Sequence, residues 1–437
     1  MAIHAATDSS DDSAALRVSR PYAWLVFALT FGLLISDYMS RQVLNAVFPL
    51  LKAEWMLSDK QLGSLSSIVA LLVGTLTFPL SVVADRWGRV KSIILMATLW
   101  SLATAACALA ASFDQMFWAR FFVGVGEAAY GSVGVALVVS LFPQRLRATI
   151  VSAFMAGGAF GSVLGMALGG VIAAQFGWRW AFGAMAGFGF LLVVLYFMTV
   201  SDRKTYGTRA DKGPLPAFNL KALLKDLFAS RSIICAYVGS GLQLFVLAAF
   251  MAWLPSFLNR YYGLETGSAG VVSAVFVLIG AVGMIVCGNL TDRLSRNDPE
   301  RKWLVAISYC VVTFVLIGIA LSLPVGTPQL VVLGFGLFLS AGTTGPAGAI
   351  VTNLTPSPIH ATAFATLTLF NNFLGLAAGP YLTGVIADSQ DLMTALRLAG
   401  AIPVLAIAAF LVGRLSYRKD VQAYRVRHAA HSAPSAA

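Results

Sequence analysis

The sequence predicts an all-α integral membrane protein, with twelve spanning helices arranged as two six-helix bundles. Three observations lead there. The 437 residues are 58% hydrophobic and only 11% charged, with a mean hydropathy of +0.80, whereas soluble domains average about 25% charged residues. A spanning helix needs roughly 20 mostly apolar residues. Twelve stretches meet that need, near 22–51, 61–84, 92–111, 115–142, 148–174, 178–200, 233–258, 268–291, 303–323, 329–353, 361–387 and 394–415. Finally, ADRWGRVKS after the second stretch and TDRLSRNDPERK after the eighth place Asp85 and Asp292, Arg86 and Arg293, and Arg89 and Arg296 each 207 residues apart. A parallel internal repeat of this kind marks a chain built from two related halves.

In chain order, residues 1–21 read as a disordered tail, 22–200 as the first bundle, 201–232 as a linker, 233–416 as the second bundle and 417–437 as a basic, disordered tail. The opening tail is acidic and Ser-rich, with no small-residue cleavage site behind a short apolar core, so the first span is expected to stay as an uncleaved anchor. The linker holds seven basic residues, and Leu220, Leu223, Leu224, Leu227 and Phe228 recur in it beside Lys221 and Lys225. That spacing fits an amphipathic helix on the membrane surface, or a plain connecting turn.

With both termini cytoplasmic, 23 of the 30 Lys and Arg residues fall on the cytoplasmic side. This is the positive-inside pattern, and it accounts for the net charge of +11 without a nucleic-acid surface. The expected setting is a bacterial-type inner membrane.

A charged side chain at the bilayer centre costs at least about 2.5 kcal/mol. Asp37, Arg41, Arg120 and Glu127 are the ionisable residues furthest inside the spans, so each needs a partner or water. Asp37 and Arg41 stand i,i+4 on one helix face and can pair. Arg120 precedes Glu127 by seven residues and shares its face. One reading makes Glu127, with Asp37 second, a proton carrier whose partner Arg41 also meets an anionic substrate. The other makes the group a structural ion pair.

The second half has only neutral polar residues inside its spans. Among them Gln243, Asn371 and Asn372 are candidate substrate contacts or interhelical hydrogen-bonding residues. Arg120 and Tyr130 are candidate contacts from the first half. Tyr38, Phe245 and Trp253 line a cavity or pack as ordinary aromatics. Gly161, Gly165 and Gly169 form a small-residue stripe that allows close helix approach, and Pro346 is expected to kink span ten. Cys107, Cys235, Cys287 and Cys310 read as packing residues.

The run Asp85-Arg86-Trp87-Gly88-Arg89-Val90-Lys91 matches D-R-x-G-R-x-K, and the chain resembles the major facilitator superfamily over nearly its whole length. The loop is then expected to latch one conformer through Asp85, Arg86, Gly88 and Arg89, and through Asp292, Arg293 and Arg296 in the second copy. Ser81 stands where the family has glycine, while the second copy keeps Gly288.

Within the superfamily, Tyr38–Trp55, Arg120–Pro143 and His360–Asp388 resemble spinster-type transporters. That resemblance places Arg41 and Glu127 at an ionisable site, but the family's Asp-Arg pair reads Ser40-Arg41 here, and Asp37 lies one turn earlier. In span five, Gly161, Gly165, Gly169 and Gly170 match an antiporter-associated motif whose proline is replaced by Met166.

The expected function is therefore a proton-coupled secondary active transporter moving a small or amphipathic organic anion by alternating access. Drug or metabolite efflux by proton antiport is the alternative, and spinster-type lysophospholipid transport a further one. No metal site and no cofactor beyond the proton gradient are expected, and the chain is expected to act as a monomer in the lipid bilayer. No phosphate loop, zinc motif or nucleophile elbow in a supporting context points to an enzyme.

Overall fold

The computed structural model describes residues 18–202, 205, 227–296, 298, 300–356 and 359–432. Among these there is no strand, and the helices run as α1 (Arg20–Trp55), α2 (Asp59–Trp87), α3 (Arg89–Leu109), α4 (Phe113–Leu141), α5 (Gln144–Phe176), α6 (Trp178–Thr199), α7 (Arg231–Tyr262), α8 (Thr266–Leu294), α9 (Arg301–Ala320), α10 (Thr327–Leu354), α11 (360–389) and α12 (392–432). Eleven are long and apolar enough to cross a membrane. The twelfth, α11, is interrupted: a π-helical turn, Asn371–Ala377, separates His360–Phe370 from Ala378–Ser389. Twelve crossings put both chain ends on one side, called here the terminal face; the opposite side is the far face.

Local chemistry sets the helix ends. At the far face α1 stops at Met56, which takes left-handed backbone (φ 51°). Two residues later Ser58 opens α2 with a reciprocal capping box: Gln61 N–H donates to Ser58 Oγ, and Ser58 N–H donates to Gln61 Oε1. α4 breaks after Glu127, and the hydroxyl of Thr77 on α2 donates to the Ala128 carbonyl at the break. A carbonyl freed inside a membrane helix needs such a donor.

The halves meet along matching seams. α2 packs against α11 and α5 against α8, so each seam pairs the second helix of one bundle with the fifth of the other, while α1 meets α7. Close approach comes from glycine. A methyl on Gly63 would strike the Pro380 carbonyl across the first seam, and one on Gly170 would lie 3.0 Å from Gly270 Cα across the second. Both places lie near the far face, as does Phe48 of α1 on Trp253 of α7, with ring centroids 5.3 Å apart and both side chains fully buried. The molecule is closed on that side. On α1, Phe31, Ile35, Tyr38, Arg41 and Gln42 stay partly exposed, a stripe that leads from below this seal toward the terminal face.

The stripe Gly161, Gly165 and Gly169 faces α1, where it meets Ile35, Met39 and Val43. α12 continues as helix to Ser432, although a disordered tail is expected from 417. Its extension is tied down by Asp420, which accepts from the Ser232 amide and hydroxyl at 2.9 and 2.6 Å, and by Arg418, which donates to Glu300 at 2.8 Å. The surface helix expected over 220–228 lies outside the described residues except for Leu227 and Phe228.

At Gly165 an added Cβ would lie 2.7 Å from the Met39 backbone. Gly165→Val is expected to destabilise the protein by about 1–3 kcal/mol through overpacking, read as a lower unfolding temperature in detergent, whereas Gly183→Val, with open space around its Cβ, is expected to change little.

Candidate functional site

The four ionisable residues of the first bundle converge where α1, α2 and α4 meet. Asp37 and Glu127 are 2% and 1% exposed, and the Arg41 side chain is 20% exposed. Arg41 Nε donates to Asp37 Oδ1 at 2.9 Å, while Glu127 Oε2 lies 2.7 Å from the same nitrogen. Nε carries one hydrogen, and it is aligned with Asp37. Glu127 Oε2 is in charge contact yet receives no hydrogen bond. Glu127 Oε1 accepts instead from Ser40 Oγ at 2.6 Å. Arg41's terminal nitrogens donate to no described residue; its guanidinium lies 5.1 Å from the Tyr38 ring centroid. Phe48, seven residues on and on the same helix face, seals against the second bundle, so Arg41 faces that bundle just below the seal.

Arg120, expected as a substrate contact, is fully buried. It donates from Nη1 to the Ser40 carbonyl at 2.8 Å and from Nε to the Leu65 carbonyl at 3.4 Å. It ties α1, α2 and α4 together and supplies a second cation beside the two acids. Tyr130 is also buried, its hydroxyl on the Thr30 carbonyl and its ring edge-on to Trp100 at 4.9 Å. Both residues hold the helices that carry the acids.

In the second bundle, Gln243 is buried and donates to Thr313 at 3.2 Å, leaving its Oε1 without a donor. Asn371 and Asn372 occupy the first turn of the π-helix. Asn372 donates to the Thr368 carbonyl and packs on Gly74 of α2, at the seam, and the carbonyl oxygens of both asparagines lack donors. Asn45, one turn beyond Arg41, donates to Gln42 and likewise keeps an unpartnered Oδ1. Arg41 thus offers donors and these amides offer acceptors.

The repeated loops are unequal. In the first, Asp85 accepts from Arg89 at 2.9 Å, and Arg89 also donates to the Ala136 carbonyl of α4 at 3.0 Å. Gly88 has φ 125°, and a Cβ there would lie 2.9 Å from the Asp202 carboxylate; only glycine suits both constraints. Arg86 is exposed. The second loop has Ser295 in place of Gly88, and Asp292, Arg293 and Arg296 are exposed with no ion pair to another described residue. Among the described residues, the aspartate–arginine pair of the repeat is formed in the first copy alone.

At the far face a further cluster joins the halves. Asp59, at the start of α2 and 2% exposed, receives a bidentate Arg260 from α7, with Nη1 at 2.7 Å from Oδ2, and Lys52 at 2.6 Å. Asp388 of α11 accepts from the Asp59 and Lys60 amides at 2.6 and 2.8 Å, so a carboxylate sits on the helix N-terminus. Among the described residues no three His, Cys, Asp or Glu side chains group as a metal site.

The family model of the Major Facilitator Superfamily matches residues 30–380. The chain belongs to the Major Facilitator Superfamily. It is 25% identical to the hexuronate transporter of Bacillus subtilis, covering 86% of this chain and 91% of that protein, and 25% identical to a probable L-galactonate transporter of Escherichia coli, covering 90% of each. The fold matches a crystal structure of a bacterial homolog of the human lysosomal transporter Spinster, inward-facing and unoccupied, with a TM-score of 0.81 and 20% identity over 92% of this chain and 99% of that one. This Major Facilitator protein is a membrane transporter and not an enzyme, and the sequence resemblance to spinster-type proteins has its counterpart in the fold.

Sequence reasoning missed Ser40 as a partner of Glu127, the acceptor on Asn45 and the far-face cluster. The signals were present but weak: a lone Arg260 closing span seven, and an aspartate at each facing helix end. For this transporter, Asp59→Ala leaves Arg260 and Lys52 unpaired across the seam, and the far face is expected to open more often. A thiol introduced as Phe48→Cys, in a background lacking the native cysteines, should then react roughly 5-fold or more faster with an impermeant reagent supplied to the far face.

Proposed function

We propose that this transporter carries a small, hydroxylated organic carboxylate together with a proton across the cytoplasmic membrane by alternating access, with the terminal face cytoplasmic. The observation that carries the reading is Arg41. Its Nε is shared by two buried acids, while its terminal nitrogens donate to no described residue. A guanidinium in that state is a bidentate carboxylate receptor.

The charge balance favours symport. Arg41 and Arg120 face Asp37 and Glu127, two cations against two anions. Protonating Glu127 leaves one net positive charge, which a bound carboxylate neutralises. Conversely, an anion that draws Arg41 away removes a cation from beside Glu127, so anion and proton each favour the binding of the other. Asp37 holds the Nε–H throughout and is the second candidate for the proton.

The side-chain carbonyl oxygens of Asn45, Asn371 and Asn372, buried in this state and without a donor among the described residues, suit hydroxyl donors on a cargo that reaches them, and the names of the two bacterial relatives describe hydroxylated carboxylates. The glycines of α5 are accounted for by packing on α1, and with Met166 in place of proline they give antiport little support. The concentration of basic residues on the terminal face supports a cytoplasmic assignment for it.

In proteoliposomes, uptake of labelled hexuronates and aldonates is expected to rise with an inward proton gradient. Glu127→Gln should keep counterflow and lose the gradient dependence, and Arg41→Lys should raise KM about 10-fold or more by removing the planar fork. Unchanged gradient dependence in Glu127→Gln and Asp37→Asn, with both proteins correctly inserted, would overturn the coupling.

A further inference from the structure

We propose that Ser40 is a positioning residue that serves Glu127 in both protonation states by turning one hydroxyl hydrogen between two acceptors. Its Oγ lies 2.6 Å from Glu127 Oε1 and 2.7 Å from the Asp37 carbonyl oxygen. A serine hydroxyl has one hydrogen and can also accept, so it donates to one of these oxygens at a time. With Glu127 ionised, the hydrogen goes to Oε1 as a charge-assisted bond. When a water-borne proton binds Oε1, the new O–H points at Oγ, and the serine hydrogen turns to the Asp37 carbonyl. One O–H bond forms at Glu127; Ser40 keeps its own hydrogen and only rotates.

The Asp37 carboxylate also lies within hydrogen-bonding reach of Glu127, but it offers no hydrogen while ionised. The groups with charge reach on it are Asp37, Tyr38 and Arg41 on α1, Arg120 on α4 and Cys107 on α3. α2 carries no ionisable residue between Lys60 and Asp85, α5 none between Arg147 and its end, and α6 only Tyr196 between Arg179 and Thr199. The spans of the second bundle contain no Asp, Glu, Lys or Arg from Ser232 to Ser256 or from Ser268 to Asn289. Among the described residues, Ser40 alone donates a hydrogen bond to the Glu127 carboxylate. Its backbone is pinned from behind by Arg120 on its carbonyl at 2.8 Å, which fixes the hydroxyl between its two acceptors.

A neutral rotor therefore stands at the position where the spinster-type pattern has an acid, and the second acid sits one turn away on Arg41. A carboxylate at position 40 would bring a titrating charge against Glu127. A hydroxyl lets Glu127 load and unload a proton with its Oε1 satisfied in each state.

The inference rests on the proton role proposed for Glu127, and the test separates the two. The pH dependence of uptake is measured in proteoliposomes for wild type, Ser40→Ala, Ser40→Thr and Glu127→Gln, with labelled hexuronate and aldonate as probes. Ser40→Ala removes the donor to the ionised form more than it weakens the protonated one, so proton affinity rises and the midpoint should move up by roughly one pH unit. Ser40→Thr keeps the hydroxyl and should restore the wild-type midpoint, which a merely structural role for Ser40 would not require. An unmoved midpoint in Ser40→Ala, with Glu127→Gln uncoupled, overturns the role of Ser40 and leaves the proton reading intact. Gradient dependence retained in Glu127→Gln overturns both. If the variants at position 40 fail to insert, infrared titration of wild type against Glu127→Gln decides it. A Glu127 carboxylic-acid band at the frequency of a hydrogen-bonded acid supports the rotor, and one at the frequency of a free acid overturns it.

Discussion

The centre of the first bundle is one N–H of Arg41 set between two buried carboxylates. Arg41 Nε bonds Asp37 and merely touches Glu127 Oε2, so one acid takes the hydrogen bond and the other only charge contact. A fully satisfied ion pair would be inert, and a lone buried acid would be too costly to keep ionised. Here two cations, Arg41 and Arg120, stand beside two acids, with the one aligned Nε–H given to Asp37 and a serine hydroxyl given to Glu127. The supporting parts follow from this arrangement. Arg120 fixes the backbone of Ser40, Tyr130 and Trp100 hold α4 against α1 and α3, and the α5 glycines bring α1 close enough for the geometry to be rigid.

The far-face cluster is the opposite kind of electrostatics. Asp59 is saturated, with a bidentate arginine and a lysine on its carboxylate and Asp388 on its amide. Saturated contacts stabilise one arrangement and oppose titration. The membrane interior therefore holds an under-bonded cluster, with Glu127 Oε2 lacking a donor among the described residues, while the seam holds a well-bonded one.

Much of this was legible in the sequence, for physical reasons. Long apolar stretches have one stable solution in lipid, so the helices and their order followed from composition, as did the two related halves from the 207-residue offset. Asp37 with Arg41 was readable because i,i+4 contact is a property of any helix. Contacts between helices were less so. Ser40 meets Glu127 across 87 residues and Asp59 meets Arg260 across 201, and no local period encodes such pairs. Arg120 shared the face of Glu127 as its spacing implied, yet its side chain turned to backbone carbonyls. The helical extension of α12 was hidden because its basic residues look like a solvated tail until Asp420 and Arg418 find partners on α7 and beside α9.

The π-helical turn of α11 sets the two halves apart. Its counterpart by the 207-residue offset is the glycine run of α5, which stays α-helical. A π-turn amounts to one extra residue threaded into a helix, so everything beyond it is rotated by about a quarter-turn or slightly more relative to an uninterrupted α11. Beyond the turn, the Pro380 carbonyl accepts from Trp253 and meets Gly63, while Asn371 and Asn372 stand side by side in the turn itself. A single insertion or deletion there would thus re-aim the second half of α11 against α2 and α7 without touching the acids of α1 and α4, so the seam and the charged cluster are free to change separately.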